Sequence, residues 1–108
     1  MENGQTTTIA GVAGAANSLV CGIPCSLLGL WFDMDGVDPS SFPLLVELVD
    51  EAATADITAG SKRLFRFRLL DPAGSFANVN LAVSATKGIC AVLGACGTND
   101  ALLGVVWR

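Results

Sequence analysis

Apolar and polar positions alternate in short bursts along the chain. Lys62–Leu70, KRLFRFRLL, puts Phe65, Phe67 and Leu69 on one face and Arg66 and Arg68 on the other. That is the period of two that marks a strand with one wet side. Cys25–Phe32, CSLLGLWF, is a compact apolar run that stops at Asp33-Met34-Asp35-Gly36, as a buried strand does. Leu44–Asp50 reads as a strand in which Glu47 marks an outward position, and Asp50–Gly60 reads as a long loop. Val79–Val83, Ile89–Ala95 and Leu102–Arg108 complete the strands, separated by turns rich in Gly, Pro and Asp.

No segment needs a helix. Short strands joined by such turns predict an all-β fold: a single antiparallel β-sandwich or small barrel of jelly-roll or Greek-key type. Residues 21–108 form that domain. Residues 1–20 are polar and then rich in Gly and Ala, and read as an extended N-terminal arm. The arm reading makes Thr6, Thr7, Thr8, Ile9 and Val12 the candidates for contact with a neighbouring subunit, because Thr-rich segments pair readily as added strands. The competing reading makes Thr6–Val12 the first strand of the chain's own sandwich.

Two positions test the face assignment. Trp31 and Phe32 are adjacent on a strand, so one packs inside and the other lies under a loop or at an interface. Leu102–Trp107 is apolar on both faces, so this strand is either central and covered on both sides, or covered on its outer side by a partner subunit. Leu102, Val106 and Trp107 are accordingly the candidates for a subunit interface.

Composition strengthens the interface reading. Over 108 residues the apolar letters reach 52% before the 12 glycines are counted, against about 45–50% with glycine included in an ordinary domain. A domain of this size buries only about two-thirds of its unfolded surface, so association is the natural outlet for the excess. Charged residues are 15% and the net charge is −4. No basic stripe exists, which argues against nucleic acid and against an anionic membrane surface as partners. No apolar run is long enough to span a bilayer as a helix, and the first 20 residues lack the basic start of an export signal.

The candidate chemistry is sparse. Histidine is absent, which removes the commonest general base and metal ligand, so no catalytic residue, cofactor or metal is expected. Asp33-Met34-Asp35-Gly36-Val37-Asp38 lacks the spacing of a calcium-binding EF-hand loop and reads as an acidic turn. Asp50 and Glu51 read as solvated loop carboxylates. Cys21, Cys25, Cys90 and Cys96 fit three readings: thiols packed in strands, a cross-pair between the two halves, or a four-thiolate site. An extended run from Cys90 to Cys96 spans about 20 Å, too far for a disulfide between them.

From Cys25 onward the succession CSLLGLWFD, LLVELVDEA, a Gly-Ser-Lys loop, LFRFRLL, NVNLAVS, KGICAVLGACGTND and ALLGVVWR resembles the small β-sandwich cement or decoration proteins of tailed bacteriophage heads. The resemblance covers residues 21–108. It implies a non-enzymatic virion protein, assembled in the host cytoplasm, that binds the capsid surface as a homotrimer and clamps the major capsid protein. The alternative is a tail-fibre or collar module that recognises a host-surface glycan through loop residues such as Phe42, Asp35 and Asp38. Light scattering on the isolated chain checks the oligomer: a trimer mass is expected, and a stable soluble monomer at micromolar concentration overturns it.

Overall fold

Eight strands account for the whole described architecture. The computed structural model describes residues 5–10, 16–33, 44–69, 76–94 and 102–108. The strands are β1 (Gln5–Ala10), β2 (Ala16–Cys21), β3 (Cys25–Asp33), β4 (Leu44–Val49), β5 (Arg63–Leu69), β6 (Phe76–Ala85), β7 (Ile89–Leu93) and β8 (Leu102–Trp107). They form two four-stranded antiparallel sheets, β1-β8-β3-β6 (sheet A) and β2-β7-β4-β5 (sheet B). That strand order is a jelly roll, the closed-up form of the expected sandwich.

The core lies between the sheets and follows the pleat. Leu27, Leu30, Phe32, Leu103 and Val105 fill it from sheet A, and Leu44, Val46, Leu48, Ile89 and Leu93 from sheet B; each is at most 1% exposed. Phe32 is the member of the Trp31–Phe32 pair that points inward. β8 is an inner strand of sheet A, between β1 and β3; Leu103 and Val105 on its core face are wholly buried, whereas Leu102 and Val106 on its outer face are half-buried. Trp107, an interface candidate, packs against the chain's own core, and its indole N–H donates to Thr7 Oγ1 at 3.0 Å.

The first twenty residues are built into the sandwich wherever they are described. β1 pairs with β8 from Gln5↔Trp107 to Ala10↔Leu102, and β2 pairs with β7. The expectation of a free-standing arm is therefore corrected over these residues: they are edge strands, one in each sheet. Thr7 Oγ1 donates to the Val20 carbonyl at 3.4 Å and so links the two edges. Ile9, at 8% exposure, belongs to the core. Val12 lies outside the described residues.

Two bulges adjust which residues face inward. In β5 the register passes from Leu48↔Phe65 to Val49↔Arg63, so Leu64 is the extra residue. Leu64 and Phe65 both join the core, and Arg63 moves to the outer face beside Arg66. In β3 the shift between Leu27 and Gly29 leaves Leu28 as the extra residue.

The connections β2–β3, β4–β5 and β6–β7 meet at one end of the sandwich. Residues 50–62 form the expected loop, with one 3-10 turn at Thr54–Asp56, and that turn lies against β2. Val49 and Cys90 are wholly buried yet lie apart from the central core, on the side this loop covers. Gly88 fits under the loop only because it lacks a side chain: a Cβ there would overlap the Cys21 carbonyl oxygen and come within 2.9 Å of the Glu51 carbonyl oxygen. Gly88→Ala is expected to destabilise the domain by about 1–3 kcal/mol, read as a lower urea midpoint at unchanged slope.

Candidate functional site

The described polar chemistry concentrates at the end where these three connections meet. Asp50 follows β4, and the buried register of that strand carries its carboxylate inside, at 3% exposure. There it caps the β6–β7 turn. Its Oδ1 accepts the backbone N–H groups of Lys87 (2.8 Å) and Gly88 (3.3 Å). Its Oδ2 accepts the N–H (3.0 Å) and the hydroxyl (2.9 Å) of Thr86. Burial alone would raise the Asp50 pKa, but these four donors outweigh it and hold the carboxyl down at about 2, below the ordinary 3.8. An acid this strong and this fully bonded is a fastener, and it neither donates nor accepts a proton near neutral pH.

Glu51, 7% exposed, is held as firmly. Its Oε2 accepts the Ser61 hydroxyl at 2.7 Å, its Oε1 meets Lys87 Nζ at 3.5 Å, and its carbonyl accepts the Cys90 thiol at 3.4 Å. The expectation that Asp50 and Glu51 are solvated is therefore corrected. Both are buried because the loop folds back over sheet B, and each carries donors brought from residues distant in sequence. Ser61, in turn, accepts the Thr58 N–H at 2.9 Å, which fixes the loop's own turn.

Glu47 faces outward as expected but is only 5% exposed. Arg63 Nε and Arg66 Nε lie 2.9 Å and 3.4 Å from its Oε2 and roof it over. Arg63 also donates to the Ala59 and Ser61 carbonyls. The pairing is built by the β5 bulge, because strict alternation would turn Arg63 toward the core. No buried side-chain nitrogen or oxygen among the described residues lacks a hydrogen-bond partner.

Cys21, Cys25 and Cys90 are free thiols, and Cys96 lies outside the described residues. Burial, then the hydrogen bond and charge of Cys21 and the charge of Asp50, push Cys25 up to about 12. Burial, with the charges of Glu51 and Asp56, raises Cys90 as well. Both stay protonated at neutral pH, where a thiol is a poor nucleophile and a poor metal ligand. Among the described residues no group of three or more Cys, Asp or Glu is placed to hold a metal ion. No helix among them is long and apolar enough to cross a membrane.

The remaining candidates lie on sheet A. Thr6 and Thr8 are exposed on its outer face, whereas Thr7 and Ile9 point inward. Leu102 and Val106 are half-buried on the same outer face, beside Trp31. Asp35, Asp38 and Phe42 lie outside the described residues. No family model matches the chain, and no curated protein or solved structure matches it either. Its function is thus to be read from these surfaces.

The Asp50 cap has a definite pH signature. A carboxyl at about 2 in the fold and 3.8 in the open chain contributes about 2 kcal/mol above pH 4. That contribution disappears as the pH falls from about 4 to about 2. Asp50→Asn is expected to lower neutral-pH stability and to flatten the acid limb of a urea-midpoint series over that window; an unchanged acid limb contradicts the assignment. For the thiols, Cys25 and Cys90 are expected to resist iodoacetamide at pH 7.5 until denaturant is added, with mass spectrometry as the readout.

Proposed function

We propose that the chain is a non-enzymatic structural virion protein. In this reading it is a cement or decoration protein that binds the assembled head of a tailed bacteriophage, as a homotrimer, and stabilises contacts between major capsid subunits. The observation that carries the reading is the free edge of β1. Among the described strands the sheet edges are β1 and β6 in sheet A and β2 and β5 in sheet B. β5 carries Arg63, Arg66 and Arg68, and the pairings of β2, β5 and β6 are interrupted by register shifts. Charges and bulges of this kind keep edges from pairing with other chains. β1, QTTTIA, has neither charge nor proline and pairs with β8 through six residues without a shift.

An extended segment of a capsid subunit laid along that edge would gain main-chain hydrogen bonds at little steric cost. The Thr6–Ile9 stretch thus keeps the attachment role expected of it, but by offering the open side of a folded strand. The state of the ionisable groups supports a structural role too, since Asp50, Glu51 and Glu47 are all committed to holding loops in place. Binding only to the assembled shell stabilises that shell by mass action, and symmetric repetition multiplies a weak contact.

The test is co-sedimentation of the purified chain with shells of the major capsid protein encoded in the same genome, beside its unassembled subunits. Saturable binding to shells alone is expected. Thr6→Lys, which places a charge on the β1 edge, is expected to keep the melting temperature and weaken shell binding at least tenfold, about 1.4 kcal/mol. Absence of binding to shells by the unmodified chain overturns the reading.

A further inference from the structure

The outer face of sheet A carries a second surface, which adjoins the β1 edge at Thr6 and Thr8. Across β3, β8 and β1 the register lines up Trp31, Gly104 and Thr8 in one row. The rows on either side are Asp33, Leu102, Ala10 and Gly29, Val106, Thr6. Gly104 leaves the centre of this grid without a side chain, and Trp31 fills the gap. A Cβ built on Gly104 would overlap the indole, nearest to Cε2, with Nε1 and Cζ2, the atoms bonded to Cε2, slightly farther away. Approach from outside within the ring plane would meet Nε1 and Cζ2 first, so the Cα–Cβ direction runs into the face of the ring. Side chains stand roughly perpendicular to a sheet. The indole therefore lies flat, stacked on the Gly104 backbone, with its other face turned away from the sandwich.

The rest of the setting is polar at the rim. Trp31 is half-buried, and among the described residues its Nε1–H has no hydrogen-bond partner; since it is not a buried unpaired donor either, it is open to water. The exposed hydroxyl-bearing residues Thr6 and Thr8 and the exposed Asp33 border the ring, and Leu102 and Val106 flank it. A flat aromatic face with one free donor and hydroxyls around it suits a ligand that is apolar on its face and polar at its edge. A lipid chain offers no polar edge. A nucleotide would bring phosphate toward Asp33 on a chain of net charge −4. A pyranose with equatorial hydroxyls has a C–H face and a hydroxyl rim.

We propose that the outer face of sheet A binds a neutral β-linked glycan, one pyranose ring stacking on Trp31. The site goes beyond the shell-binding reading and stands without it.

The experiment titrates the full chain, labelled with 15N, with cellotetraose and with N-acetylchitotetraose while the two indole N–H resonances are followed. The Trp31 resonance is expected to shift saturably with at least one of them, with a Kd on the order of a millimolar. The Trp107 resonance, bonded to Thr7 Oγ1, is expected to stay in place. Trp31→Ala is expected to abolish the binding. Trp31→Phe keeps a ring over Gly104 but no N–H, and is expected to fold and to bind several-fold more weakly; it carries the test should Trp31→Ala fail to fold. No saturable shift with either glycan overturns the proposal. A Trp31 resonance that moves on dilution and is indifferent to both sugars also overturns it, since a second copy of the chain would then be what covers the face.

Discussion

Asp50 has given up nearly all its water and has received four donors in exchange, three of them backbone N–H groups of a single tight turn. That turn is the place where the chain leaves sheet A at the end of β6 and enters sheet B as β7. A crossing of three residues has little capacity to satisfy its own backbone, and buried N–H groups without partners are costly. The carboxylate supplies what the turn cannot. Its position at the end of β4 ties the crossing to the middle of sheet B, and Gly88 allows the turn to press against the Cys21 and Glu51 carbonyls. The spacing of the two sheets at this end depends on that contact.

The same logic extends outward. Glu51 holds Ser61, Ser61 holds Thr58, and Arg63 reaches both the loop carbonyls and Glu47. The long β4–β5 loop is thereby pinned over Val49 and Cys90, which it keeps from water. Nearly all the charge at this end is used in construction. The two surfaces proposed for partners lie elsewhere, on the β1 edge and on the outer face of sheet A.

The strands that alternate or end abruptly were legible in the sequence. β5 announces itself by its arginines and phenylalanines, β3 by the stop at Asp33, and the split of Trp31 from Phe32 follows from the pleat. The all-β class, a sandwich or small barrel of jelly-roll or Greek-key type, followed from strand spacing and turn residues; the strand order alone settles the jelly roll. Four features were not legible, each for a physical reason. β2 reads as Ala, Asn and Ser with little period, and becomes a strand because β7 and the loop turn provide its partners. Asp50 and Glu51 have the composition of a wet loop; only the distant Thr86–Gly88 turn and Ser61 make burial favourable. The Arg63–Glu47 pair depends on a bulge at Leu64, and no local pattern marks that extra residue. On the sheet-A face, Gly104 was visible as a glycine, but its role as the bed for an indole emerges only when the register sets it opposite Trp31.

The pairing of β1 with β8 also governs the order in which the molecule can form. Thr7 and Trp107 are 100 residues apart, and β8 is the strand that joins β1 to β3. During synthesis β1 is the first and β8 the last of the described strands to emerge, so sheet A has no centre until all the others have been made. Until then β1 and β3 each lack the neighbour they share, and closing so long a loop is entropically slow. Folding of sheet A therefore waits for the last of its described strands. Until β8 emerges the threonine strand is open on both sides, one of which only residues still to come can close.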